Sequence, residues 1–183
     1  MRAMQMQVER DALPLPAGPG DAPLEVLFVL NNLAVGGSET KVVRLANSLQ
    51  QRGVQVGVAY LNEPFSLLKQ LQTDIPAYFL SRKGRFSLSA AATLRYLIQE
   101  QHPRTVVSVN LYPALYVVTA TRWMDDRPRT IGLMNTTELR RGARWRRAFY
   151  RRVLRFLDWT VYGWSSCGAS SRLSGGRGIC SGE

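Results

Sequence analysis

The strongest constraint on this chain is a repeated exchange of two periodicities. Short continuous apolar runs alternate with segments whose apolar residues recur at helical spacing. "LEVLFVL" (24–30) is a run that suits a strand buried on both faces, and Val42, Val43, Leu45, Ala46 and Leu49 then repeat as on one side of a helix. "VQVGVAYL" (54–61) reads as a second strand, "FSLLKQLQT" (65–73) as a short helix and "AYFL" (77–80) as a third strand. A helix follows over 87–101, capped by Ser87 or Ser89 and stopped at His102-Pro103. "TVVSVN" (105–110), "PALYVVTATRWM" (113–124), "RTIGLMN" (129–135), "GARWRRAFYRRVLRFLD" (142–158) and "WTVYGW" (159–164) continue as strand, helix, strand, helix, strand. Parallel neighbours need crossover connections, so this alternation predicts a Rossmann-like open parallel sheet flanked by helices.

The two ends depart from the pattern. Residues 1–23 finish in a Pro/Gly/Ala run and read as a flexible leader; they hold Arg2, Glu9, Arg10 and Asp11 and lack the apolar stretch of a signal peptide. From Gly163 onward six glycines and six serines share 21 positions, and the segment 165–183 is expected to be an unstructured Gly/Ser-rich tail. A frameshift near Trp164, or truncation, is the sharper explanation of that change of style. No run approaches the roughly 18 apolar residues of a membrane-spanning helix, and the expected compartment is the cytosol. Cys167, Cys180 and the single histidine, His102, have no metal-ligand spacing, so no metal and no cofactor is expected.

The loop after the first strand, "AVGGSE", is the first candidate site. A helix beginning there aims unpaired N–H groups and a positive dipole end beyond the strand, and glycines admit close approach or φ > 0. Gly36, Gly37 and Ser38 therefore either form a tight turn or receive a phosphate or sugar, with Ser38 the expected N-cap, Glu39 in the first turn and Gly53 after the helix end. Glu63 follows the second strand, but neither G-x-G-x-x-G nor a P-loop is present, which argues against NAD binding and NTP hydrolysis.

The formal charge is +11, from 24 Lys+Arg against 13 Asp+Glu. Eight arginines and no acidic residue lie between Arg140 and Arg155. On a helix, Trp145, Phe149, Val153, Leu154, Phe156 and Leu157 share a broad apolar face. Arg144, Arg147, Arg151, Arg152 and Arg155 lie opposite, and Arg146 intrudes on the apolar side. A solvated basic face, contact with an anionic membrane surface and nucleic-acid binding are the three readings. Nucleic acid ranks lowest, because no stacking platform accompanies the arginines.

The stretch "GGSETKVVRLANSLQQRGVQVGVAYL" resembles the opening of family 4 glycosyltransferases, in which a GG-(A/S/T)-E loop leads a helix of the form VVxLAxxLxxRGHxVxV; Val54 stands where the family usually has histidine. Looser similarity runs through "VVSVNLYPALYVVTAT" and "RTIGLMNTTELRR" to "RRVLRFLDWTVYGWS", which is similar to the family's hxxxDxvvxxS segment. The resemblance spans roughly 24–165. It implies the amino-terminal, acceptor-side half (24–164) of a retaining GT-B enzyme that moves a sugar from a nucleotide-sugar donor to a glycan or lipid-linked acceptor, in cell-surface polysaccharide or glycolipid synthesis. It implies that Gly36 and Gly37 touch the donor phosphate or sugar, and that Asn110, Tyr112, Asn135 and Thr136 shape the acceptor side. The donor domain with its E-x7-E motif has no counterpart here, and "LMNTTEL" lacks the histidine that many members place near the sugar. The isolated chain is therefore expected to be inactive, peripheral to the membrane at most. The alternative is a non-catalytic Rossmann-like module for phosphorylated ligands or anionic membrane.

Overall fold

The computed structural model of the chain describes residues 23–84, 86–134, 144–162 and 177–180. In chain order the elements are β1 (Val26–Leu30), α1 (Gly37–Gln51), β2 (Val56–Tyr60), a 3₁₀ turn (Ser66–Gln70), β3 (Ala77–Phe79), α2 (Leu88–Gln101), β4 (Thr105–Val109), α3 (Leu111–Thr121), β5 (Arg129–Met134), α4 (Arg144–Leu154), β6 (Trp159–Tyr162) and β7 (Arg177–Cys180). The strands form one sheet in the order β3-β2-β1-β4-β5-β6-β7, every neighbouring pair parallel. This is the Rossmann-like sheet that the alternating periodicities predict.

The sheet is filled from both sides. On β1, Leu27 and Val29 belong to one layer with α2 and α3, while Phe28 and Leu30 belong to the other with α1. That double burial is why the strand reads as a continuous apolar run instead of an alternating one. Val42, Val43 and Ala46 are the buried side of α1, worth about 1.5–3 kcal/mol for each valine. Ala90, Ala91, Leu94, Leu97 and Ile98 are that of α2.

Helix ends follow local chemistry. The Ser87 side chain accepts the Ala90 N–H at 3.3 Å, as expected of a cap. At the end of α1, Gly53 takes φ +85°; its N–H reaches the Gln50 carbonyl (2.9 Å) and Val54 N–H reaches that of Leu49 (3.1 Å). The paired bonds form a Schellman closure that a left-handed glycine permits. The beginning of α1 differs from expectation. The helix starts at Gly37 with Gly36 as the extended N-cap (φ −151°, ψ 159°), two residues before Ser38. The segment read as a helix over 65–73 closes into the shorter 3₁₀ turn, which has only Leu67 to bury.

Arg177–Cys180 lie within the tail expected to carry no regular structure, yet they pair with β6 in parallel register. Edge pairing uses backbone groups, so it needs no apolar alternation to announce it. Residues 1–22 and the remainder of 163–183 lie outside the described residues.

Candidate functional site

The strand order reverses between β1 and β4. From β1 the chain turns into α1 on one layer, and from β4 it turns into α3 on the other. Two adjacent parallel strands whose connections diverge to opposite faces leave a crevice beyond their carboxyl ends, the place where open α/β sheets bind ligands. The structure thereby brings Gly36, Gly37 and Ser38 to one side of this crevice and Asn110 and Tyr112 to the other. Asn135 and Thr136 lie outside the described residues.

The floor of the glycine loop is fixed. Leu33 is fully buried; its N–H donates to the Pro64 carbonyl (3.0 Å), and its own carbonyl accepts from Leu67 N–H (2.8 Å). Above that floor, Val35 is 78% exposed. The two glycines then differ from each other. Neither has positive φ, so a tight left-handed turn does not account for them. A Cβ on Gly36 would fall 2.5 Å from Oε2 of Glu39, whose carboxylate folds back from the third helical position. A Cβ on Gly37 would meet nothing within 4 Å. Gly37 is thus the residue where the missing side chain leaves open space at the first N–H groups of α1. Ser38, expected as the cap, is the second residue of the helix and stands beside that space.

Across the crevice, Asn110 has φ 70° and ψ 174°. That region is essentially reserved for glycine and costs an asparagine about 1–3 kcal/mol. The surrounding bonds impose it: Asn110 N–H donates to the Leu133 carbonyl (2.8 Å), while its own carbonyl receives Ala114 N–H (3.4 Å) as α3 starts. Its side chain makes no capping bond to the helix. Tyr112, in the first turn, packs its ring 5.8 Å from that of Tyr116. Burial, foremost, raises the Tyr116 phenol above its ordinary pKa. The neutral hydroxyl accepts Ser87 N–H at 3.0 Å.

A polar ladder that the sequence did not single out crosses the same edge. Asn62 donates from its N–H to the Asn31 carbonyl (2.8 Å) and from Nδ2 to Asn31 Oδ1 (3.0 Å). Arg82 donates from Nε to Asn62 Oδ1 (2.9 Å) and lies over the Tyr112 ring, 4.7 Å from its centroid. These residues come from the ends of β1, β2 and β3 and the start of α3. No sequence motif links them; only the strand order does.

The arginine-rich helix is shorter than its pattern, ending at Leu154. Val153 and Leu157 are buried in the layer with α3, and Tyr150, Leu154 and Phe156 pack beside them. Arg151, Arg152 and Arg155 are exposed as expected, whereas the side chains of Arg144 and Arg147 lie outside the described set. Phe149, expected on the apolar face, is 47% exposed and, among the described residues, sets its ring edge-on to Tyr150 (5.6 Å). Among the described residues the helix reaches the core through its last turn alone, so an aromatic one turn earlier stays in water. No helix among the described residues is long and apolar enough to cross a membrane.

At the opposite, amino edge of the sheet lies a cavity of about 780 Å³ bordered by Arg95, His102, Arg104, Arg127 and Arg129 with Asp125 and Asp126. His102 is there as the exposed left-handed C-cap of α2 (φ 42°). Strand amino ends are not where this sheet type binds substrate, and Arg127 is already paired with Asp158 at 2.6 Å.

The sequence model of glycosyltransferase family 4 matches residues 35–162. Among solved structures, the fold is similar to MurG of Acinetobacter baumannii, with TM-score 0.58 and 18% identity over 81% of this chain and 44% of that one. It is also similar to a glycosyltransferase from Rickettsia africae ESF-5, with TM-score 0.56 and 13% identity over 76% of this chain and 36% of that one. The chain thus spans less than half the length of either structure. A search of curated proteins gave no match.

Proposed function

Because the chain belongs to glycosyltransferase family 4, we propose that it forms the acceptor-side half of a retaining transferase that moves a sugar from a nucleotide-sugar donor to a glycan or lipid-linked acceptor. The observation that carries this reading is the switch-point crevice, with open space at Gly37 on one wall and the strained Asn110 on the other. Gly36, Gly37 and Ser38 present backbone N–H groups at a helix start, suited to a donor phosphate or to hydroxyls of its sugar. Asn110 and Tyr112, with Asn135 and Thr136 following β5, offer hydrogen-bonding groups to the acceptor. Asparagine donates and accepts but does not exchange a proton near neutral pH, so these residues orient hydroxyls and leave the departure of the nucleotide to a second domain.

The test is a titration of the ¹⁵N-labelled chain with glucose and, separately, with a nucleotide-sugar. Shifts centred on residues 31–38 and 110–112 support the assignment. Shifts confined to the amino edge, or none with either probe, overturn it. Sugar transfer by the purified 183-residue chain would overturn the division of labour between two domains.

A membrane-bound acceptor is favoured by one further observation, the exposure of Arg151, Arg152 and Arg155 beside the exposed Phe149. Each basic residue adds about 1 kcal/mol near an anionic surface. Sedimentation with anionic vesicles and none with neutral ones is expected; equal sedimentation with both, or none, removes the membrane from the reading. The same binding without any sugar response would favour a non-catalytic module.

A further inference from the structure

The outer surface of the layer formed by α2, α3 and α4 carries large apolar side chains that the core does not use. On α2, Leu88 is 72% exposed and Tyr96 56% exposed, with the exposed Ala92 midway between them. From Leu88 to Gln99 the exposed positions of that helix are Leu88, Ser89, Ala92, Thr93, Tyr96 and Gln99, and none carries a charge. The outward face of a surface helix is ordinarily charged or polar. Trp123, just past the end of α3, is 74% exposed. Its carbonyl accepts from the Arg95 guanidinium at 3.0 Å, which ties the end of α3 to α2 at the residue next to Tyr96. Arg122 lies over the Trp123 ring, 5.3 Å from its centroid, and over that of Phe156, 4.0 Å away and just beyond α4. The apolar residues are thus continuous with the helix that exposes Arg151 and Arg152.

Resting on the membrane reading above, we propose that this surface is where the protein meets an anionic bilayer, with Trp123, Tyr96 and Leu88 entering the headgroup region. Charge complementarity selects that occupant. Arg95, Arg122, Arg151, Arg152 and Arg155 accompany the apolar residues and outnumber Glu100, Asp125 and Asp126, which lie in the last turn of α2 and beyond Trp123. Indole and phenol suit the boundary because one end of each is apolar and the other polar. An arginine keeps its charge among the headgroups while its stem lies deeper. A second copy of a chain with net charge +11 would bring like charges together, whereas anionic headgroups neutralise them. Both α2 and α3 start at the carboxyl edge, so a bilayer along them runs up to the acceptor wall at Tyr112.

The experiment sediments the 183-residue chain with phosphatidylcholine vesicles containing phosphatidylglycerol and reads tryptophan quenching by brominated lipid. Trp123→Ala should weaken binding about tenfold, from the loss of a largely exposed indole. Arg122→Gln should weaken it about fivefold, the worth of one cation at an anionic surface. Leu88→Asp and Tyr96→Asp should weaken it as well. Leu45→Asp, at an exposed apolar position of α1 in the opposite layer, should change it by less than about twofold. With Trp145, Trp159 and Trp164 all replaced by phenylalanine, brominated lipid should quench the emission of Trp123. Anionic-vesicle binding that is unchanged in Trp123→Ala and Leu88→Asp overturns the proposal and leaves the membrane reading standing on the α4 arginines. No vesicle binding by the wild type overturns both. A lipid-free dimer that Trp123→Ala dissociates assigns the surface to a second copy and likewise overturns the proposal. Should the triple tryptophan replacement lose its native circular-dichroism spectrum, the sedimentation series decides alone.

Discussion

Replacing Asp158 by alanine should unfold this sheet more easily than any exposed aspartate normally would. The carboxylate leads into β6 and holds the beginning of β5: Oδ2 accepts Thr130 N–H (2.8 Å) and Thr130 Oγ1–H (2.9 Å), and Oδ1 accepts from Arg127 (2.6 Å). Thr130 is fully buried. Removal of the carboxylate therefore strands a backbone donor that water does not reach, at about 1–3 kcal/mol. The Arg127 pair is a third or more exposed at both partners, so it adds only about 0–1 kcal/mol. The sum is about 1–4 kcal/mol, which for a domain of this size lowers Tm by about 2–16 °C. A pH series isolates the charge. Burial alone pushes the Asp158 pKa up, but the Thr130 N–H, Arg127 and the Thr130 hydroxyl outweigh it and hold the carboxyl below its ordinary value. A depressed folded pKa means that the stabilisation is fully present above the ordinary carboxylate range and is lost as pH falls through the folded value. Circular-dichroism melts of wild type and Asp158→Ala should therefore differ most near neutrality and converge in acid. A difference under about 0.5 kcal/mol at pH 7, the scatter of ordinary surface substitutions, would refute the stranded-donor argument. A gap that persists unchanged in strong acid would refute the role of the charge.

Asn110→Gly should raise Tm by about 2–4 °C, because glycine adopts φ 70°, ψ 174° without strain and the relief exceeds its unfolded-state entropy by about 1 kcal/mol; no gain in a thermal melt would mean that the backbone there is unstrained. The same variant should weaken glucose in the titration above, separating fit for folding from fit for ligand. Gly57→Ala places a Cβ 2.7 Å from Leu24 Cδ1 and 3.4 Å from the Tyr78 ring, and a lower urea midpoint is expected, by about 1–3 kcal/mol of overpacking. Ser87→Ala removes the bond to Ala90 N–H and should cost about 1 kcal/mol, read from the same denaturant curve.

The parallel sheet was legible because burial on both faces leaves an apolar run that no surface strand would carry, as in Val26–Leu30. Ser87 was legible as a cap for a local reason, since the bond spans three residues. Ser38 was misread by the same local logic: a serine ahead of a helical pattern suits the N-cap, but the extended Gly36 lets the helix begin earlier. Asp158 stands in the segment similar to the family's hxxxDxvvxxS pattern, yet sequence alone gave it no partner. The structure places that aspartate at the amino edge, clasping Thr130 from 28 residues away. Phe149 escaped because periodicity tells which residues share a face, not how much of that face another element covers.

The crevice residues were legible in proportion to how local their cause is. The glycine pair announces itself in sequence because both members act within one loop. Arg82 does not, because its meaning depends on Asn31, Asn62 and Tyr112, which strand order alone assembles. The two edges of the sheet also divide the physics. At the amino edge, Asp158 satisfies buried donors and stabilises the fold. At the carboxyl edge, Asn110 is held in a conformation that destabilises it, and Gly37 leaves room that packing does not use. A chain selected for folding alone would relax the first and fill the second. That both stand at the same switch point is why the carboxyl edge and not the amino-edge cavity is proposed for the chemistry.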